Sequence, residues 1–305
     1  MAKLLIVGGT GSIGGYIALQ LRERGDEVTL AARRAPASNS PLATFPLLRG
    51  DFSTGDFGSS DLRGFDALIF AAANDVRQLR PDLPGAEVDA HFDRINAKAV
   101  PEFFRKARLA GIGRAAYIGS FYPQVRPDLC AHDSYVRSRR DAELGVRAEA
   151  GPDFHVVSLN APIIVGGARG LMRPKHRQLG LMALGRMPEA EFAIPGGSNF
   201  MSVEALYQAV LGALGGGEKG RGYLVGGQNL SFRDYLQLYF RAAGREVALP
   251  LRSTAHPILG DVKNPAEGDT ISYAPEGVDV LGYDPDDLPR AVADIVAQVR
   301  EEEGA

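Results

Sequence analysis

Residues 6–15, IVGGTGSIGG, constrain this chain more than any other stretch. Gly8, Gly11 and Gly14 fall in a GxxGxxG pattern, after the apolar run KLLIV and before a segment with Ile13, Ile17 and Leu21 on one face. A glycine pattern alone is weak in a chain with 37 glycines. The preceding strand and following helix are what make it specific. One glycine turns the chain sharply after the strand. A second removes a side chain so that backbone amides approach a diphosphate, and a third lets helix pack closely on strand. Free N–H groups and the positive end of the helix then hold the phosphates. Gly8, Thr10, Gly11, Ser12, Ile13 and Gly14 are therefore the candidate dinucleotide-binding residues of this loop.

The rest of the first half repeats the strand–helix alternation, which predicts an α/β protein with a Rossmann-type parallel sheet flanked by helices. Residues 12–24 read as a helix stopped by Gly25, and EVTLAAR as the second strand. A weaker strand lies near FPLLRGD, and DALIFAAA reads as a buried one. Residues 89–110 read as a long helix bent at Pro101. AAYIGS is the next strand, 133–150 the next helix, and FHVVSLNAPIIVG holds a sixth strand. The second half is less regular. A helix at SVEALYQAVLGAL ends in Gly215, Gly216 and Gly217, a short strand follows at GYLVGG, and Ser231 caps a helix at SFRDYLQLYFRAAG. Residues 246–285, rich in Pro, Gly and Asp, read as loops around a pocket, and Glu301 to Glu303 as a solvated acidic tail. These segments predict a dinucleotide domain over 1–165 with 196–244 contributing. A small substrate lobe takes 166–195 and 245–305.

A net charge of −3 argues against nucleic acid, whose binding needs phosphates neutralised by cations. No apolar stretch approaches the length of a membrane span, and the opening MAKLLIVGG lacks a signal-peptide cleavage site. The reading is a soluble, cytoplasmic protein. Cys130 is the only cysteine, and His91, His132, His155, His176 and His256 lack ligand spacing, so no metal site is predicted. No GxSxG elbow is present, which disfavours a serine hydrolase.

After the second strand, NAD enzymes usually place an acidic residue for the adenosine ribose. Here the chain runs Ala31-Ala32-Arg33-Arg34. A guanidinium suits a ribose 2′-phosphate through charge and paired donors, so NADP(H) is favoured over NAD(H). The plainer reading is two solvated arginines at a strand end.

From residue 3 to about 240 the chain resembles the extended short-chain dehydrogenase/reductase family, the NAD-dependent epimerase/dehydratase group. The glycine loop matches, and Arg33 stands where NADP-using members carry an arginine. RGDF puts Asp51 and Phe52 where the family places an Asp near the adenine. IFAAA puts Ala71, Ala72 and Ala73 along the cofactor, and Asn96 stands at the family's helix-borne Asn. YIGS places Ser120 at its serine, and SYVRSRRDAE resembles its YxxxK helix. The resemblance implies that Tyr135 donates and accepts a proton while Ser120 holds the substrate oxygen. A phenol with an ordinary pKa of about 10 needs a positive charge nearby for that work. Position 139, one turn on, is where the family has Lys. Here it is Arg139, which keeps the charge but neither the shape nor a removable proton. Each residue also has a plainer reading: Tyr135 on a helix surface, Ser120 bonding backbone, Asn96 incidental, Asp51 in a turn.

The function so implied is an NADP(H)-dependent oxidoreductase acting on the ketone or aldehyde of a small, weakly polar molecule, or on the alcohol. The alternatives are an epimerase or dehydratase that recycles bound cofactor, and a non-catalytic NADP(H)-sensing protein. The basic loop Arg169, Arg173, Lys175, His176, Arg177 meets either an anionic substrate group or solvent. Family members dimerise through helices equivalent to 91–110 and 133–150, so a homodimer is an implied arrangement.

Overall fold

The computed structural model describes residues 1–72, 74, 79, 82–260 and 268–304. Its strands are β1 (Lys3–Val7), β2 (Glu27–Ala32), β3 (Leu47–Arg49), β4 (Ala67–Phe70), β5 (Arg114–Ser120), β6 (His155–Ala161), β7 (Ile163–Val165), β8 (Gly197–Ser202), β9 (Gly222–Tyr223) and β10 (Gln228–Ser231). The first-half helices are α1 (Ser12–Glu23), α2 (Gly85–Phe92), α3 (Val100–Leu109), α4 (Tyr122–Val125) and α5 (Ser134–Ala148). Later come α6 (Pro174–Ala183), α7 (Val203–Gly215), α8 (Phe232–Ala243), α9 (Val278–Leu281) and α10 (Leu288–Glu302).

Seven strands form one sheet in the order β3-β2-β1-β4-β5-β6-β9. Every pairing in it is parallel. Parallel strands covered on both faces should be apolar throughout. Leu4 to Val7 and Ala67 to Phe70 are accordingly all buried. The chain runs outward from β1 to β3, then returns to add β4 on the other side of β1. The strand order thus reverses between β1 and β4, and a crevice opens beyond their carboxyl ends.

FHVVSLNAPIIVG holds two strands rather than the one its apolar run suggests. Pro162 has no N–H to continue a ladder, so the chain leaves the large sheet there. Ile163 to Val165 instead pair with β8, and β8 pairs antiparallel with β10, making a second, three-stranded sheet. α6, α8 and α10 pack together and bury Leu179, Tyr239, Phe240, Val292 and Val299 in a separate core, where Phe200 stacks on Tyr235 at 4.1 Å. α10 itself is absent from the sequence reading, although Leu288, Val292, Ile295, Val296 and Val299 mark one face at helical spacing. Nor is the acidic tail simply solvated: Glu301 pairs with Arg169, and Glu302 and Glu303 with Arg177.

The segment predicted as one helix bent at Pro101 is divided. α2 runs into a π-helical stretch, Asp93–Ala99, before α3 begins. Pro101 offers no N–H to the turn before it and crowds the carbonyl four residues back, so that turn widens instead of bending sharply. Pro101 also seats on α5, where a methyl group on Gly145 would come 2.5 Å from its ring.

Candidate functional site

The loop after β1 is as tight as its glycines require. Gly8 has φ +79°, and a methyl group there would stand 2.8 Å from the backbone nitrogen of Ala72. A methyl on Gly14 would collide with the Gly8 carbonyl oxygen. Gly11 precedes α1 in extended conformation and supplies no side-chain cap, so the helix opens with backbone donors free of a capping side chain. Ser12 Oγ is buried beside them without a hydrogen-bond partner among the described residues. Such an end fits a diphosphate.

From this loop a cleft of about 740 Å³ extends along the carboxyl edge of the sheet. Gly8, Thr10, Gly11, Arg33, Asp51, Phe52, Ala71 and Ala72 all line it, so most of the predicted cofactor residues share one surface. Ser12, Ile13 and Gly14 are not among its walls and instead build the helix entry behind them. Ala73 lies outside the described residues. The Arg33 side chain is 69% exposed and its Nη1 stands 3.9 Å from Asp51 Oδ2. Asp51 is also committed locally, accepting from the backbone and hydroxyl of Ser53 at 2.9 and 2.7 Å. The turn role that Asp suggests and the place on the cleft wall coexist.

Sequence reasoning missed Asn74, His91 and Arg94, which line the same cleft. His91 Nε2 lies 2.8 Å from Asn74 Oδ1. Burial, aided by Arg94, holds its pKa below the ordinary histidine range. Asn74 closes the run IFAAAN, and only a knowledge of which strands flank the crevice singles it out.

Asn96 sits on the π-helical stretch and is buried. Its Nδ2 donates to the Asn74 carbonyl and to Ser138 Oγ, both at 3.1 Å. Ser138 Oγ donates in turn to the Tyr135 carbonyl at 2.8 Å. A hydrogen-bonded path therefore joins the cleft wall to the start of α5. Ser138 lies inside SYVRSRR but drew no attention, since a serine in a helix usually bonds only its own turn.

α5 begins where the sequence reading put it, because Asp133 caps it by accepting from the Val136 N–H at 3.0 Å. The cap sets the helix phase. Tyr135 is half-buried with its ring edge-on to Phe92 at 5.4 Å, whereas Arg139 turns inward and is 4% exposed. Arg139 Nη2 donates to the Ile118 carbonyl at 3.1 Å, on the strand that ends in Ser120. Its guanidinium carbon lies 5.9 Å from the Tyr117 ring centre and 6.0 Å from that of Tyr135. Burial pulls its pKa down, but the Tyr117 and Tyr135 phenols more than offset this, so it stays charged. Ser120 is 8% exposed at the end of β5.

Gly119 precedes Ser120 on β5. Any side chain there would collide with Asn160 Oδ1. Asn160 is held within a buried group in which it accepts from Ser158 at 3.1 Å and donates to Glu143 at 3.4 Å. The basic loop does not stand free, since Arg169 and Arg177 pair with the carboxyl tail. No group of three or more His, Cys, Asp or Glu among the described residues is placed to hold a metal ion. No helix among them is long and apolar enough to cross a membrane.

The parallel order, its reversal beside β1, and the glycine loop at that crevice define a Rossmann fold. Three solved structures share it over nearly their full length. The protein gox2253 superposes with a TM-score of 0.76 at 22% identity, with 99% of each chain covered. WbmH from Bordetella bronchiseptica, solved in complex with NAD+, gives 0.71 at 20% identity over 99% of each chain. The UDP-glucose-4-epimerase of Stenotrophomonas maltophila, with bound NAD and formylated UDP-arabinopyranose, gives 0.75 at 17% identity, covering 100% of this chain and 99% of that one. No protein-family model and no curated relative matches the chain.

Proposed function

We propose that this protein is an NADP(H)-dependent oxidoreductase that reduces the ketone or aldehyde of a small, weakly polar molecule, or oxidises the corresponding alcohol. The observation that carries the reading is the single cleft uniting Gly8, Thr10 and Gly11 with Arg33. Gly8, Gly11 and Gly14 clear space for a diphosphate, and the amides at Ser12 and Ile13 hold it. Arg33 takes the ribose 2′-phosphate, which bare ribose would not need. Phe52, Ala71 and Ala72 flank the base and the nicotinamide side. When bound, the dinucleotide supplies or accepts the hydride.

The chain's own residues manage the proton and the oxygen. Ser120 Oγ donates to the substrate oxygen and fixes its orientation. Tyr135 Oη gives its proton to that oxygen in reduction and takes it back in oxidation. Arg139 places its charge beside the Tyr135 ring but keeps its own protons, so it does not pass one onward. Asn96 holds the entry of α5 in place through Ser138. The solved relatives favour a second reading in which this site serves an epimerase: both WbmH and the Stenotrophomonas enzyme were solved with NAD. That version predicts copurified dinucleotide and no net NADPH consumption.

NADPH absorbance followed against a panel of carbonyl compounds tests the proposal, comparing wild type with Tyr135→Phe. Loss of turnover in the variant is expected, and equal rates would remove Tyr135 from the chemistry. Calorimetry with Arg33→Ala should show a reduced preference for NADPH over NADH.

A further inference from the structure

Arg139 is anchored on β5, and Tyr117, which stands beside it there, has so far carried no function. We propose that Tyr117 is a positioning residue for Tyr135, acting through the Arg139 guanidinium, so that two phenols and one cation form a single unit. The inference rests on the reading of Tyr135 as the proton-exchanging group.

Three observations carry it. Tyr117 is 1% exposed on β5, and Arg139 is 4% exposed on α5. The guanidinium carbon is nearly equidistant from the two ring centres, at 5.9 and 6.0 Å. Nη2 is anchored on the carbonyl of Ile118, the neighbour of Tyr117, while Nε is buried with no hydrogen-bond partner among the described residues. Beyond that anchor, the guanidinium interacts with the phenols of both Tyr117 and Tyr135, so the orientation of its plane depends on them. Both rings stand close enough to attract the cation, which couples the position of one phenol to that of the other through it.

The surrounding charges leave Tyr117 this task. Glu143, one turn beyond Arg139 on the helix, is engaged by Arg147 at 3.0 Å and by Asn160. Burial raises the Tyr117 pKa, against the pull of Arg139, so its phenol remains neutral. β5 is paired on both edges, with Tyr117 opposite Phe70 of β4 and Ser158 of β6, so the Tyr117 backbone is held in place if the arginine moves. A lysine at 139 would present a compact ammonium with no plane to orient. The rings thus answer a need that the arginine creates.

The test uses the full chain labelled with [ζ-13C]tyrosine, with the Tyr135 resonance assigned by its loss in Tyr135→Phe. In Tyr117→Phe the Tyr135 resonance should be displaced by more than its linewidth, while calorimetric NADPH affinity stays at the wild-type value. In Arg139→Met the Tyr117 and Tyr135 resonances should both be displaced, and adding Tyr117→Phe to that background should move Tyr135 no further. A Tyr135 resonance in Tyr117→Phe that overlays wild type would overturn the proposal. Should Tyr117→Phe fail to fold, Arg139→Met decides alone: displacement of only one phenol refutes the shared cation. These outcomes are independent of whether Tyr135→Phe retains turnover, which tests the reductase reading instead.

Discussion

Acid should loosen this protein through His176 as the pH falls below the ordinary histidine range. The imidazole is 4% exposed on α6, and its Nδ1 has no hydrogen-bond partner among the described residues. Burial, with Arg173 and Lys175 adding to it, lowers its pKa from 6.5 to about 4. The folded state therefore refuses a proton that the unfolded chain accepts. Stability is fully present above pH 6.5 and is lost as the pH falls from there toward 4, where the folded form also protonates. One proton of difference gives a slope of about 1.4 kcal/mol per pH unit, so the interval costs about 3 kcal/mol. Urea unfolding of wild type and His176→Gln at pH 7.5, 5.5 and 4.5 measures it. The advantage of wild type over the variant should shrink by about 3 kcal/mol across the series. His256, whose pKa burial also lowers, contributes a slope of the same sign that cancels in the difference. A gap between the two proteins that stays constant with pH would refute the reasoning.

Three further outcomes are expected. Gly14→Ala should abolish dinucleotide binding by calorimetry, since its methyl group meets the Gly8 carbonyl oxygen within the phosphate loop. Phe240→Ala should lower the unfolding free energy by about 3–5 kcal/mol in denaturant melts, because the ring is fully buried between α6, α8 and α10. Arg177→Ala should change stability by less than about 1 kcal/mol in the same assay, although it holds two carboxylates, because all three side chains are substantially exposed.

What the sequence made legible was local. The tight glycine loop could be read because every determinant, strand, glycines and helix, lies within some twenty residues. α5 was equally plain, since Asp133 announces its start and Arg139 follows Tyr135 by one turn. What stayed hidden depends on distant partners. β8, GSNFMS, carries no alternation that marks a strand, and its hydrogen bonds come from β7 and from Gln228–Ser231. Asn74 and His91 join the site only because the strand order reverses beside β1. The pairing of Arg169 and Arg177 with the tail needed α10, whose apolar spacing was there to be read and was obscured by the acidic residues closing it. The inward turn of Arg139 follows from the packing of α5 on β5. Composition and spacing carry no trace of it.

The widened turn at 93–99 has a consequence for how this region tolerates change. Successive residues of a helix advance by about 100°, so a regular helix from 85 to 109 would lock the azimuth of its first half to that of its second. The π stretch decouples them. Val100, Phe103 and Phe104 point into the core, while His91, Arg94 and Ile95 look toward the cleft. Deleting one residue between 93 and 99 would restore a regular spiral and swing His91 and Arg94 away from the crevice, with the packing beneath left intact.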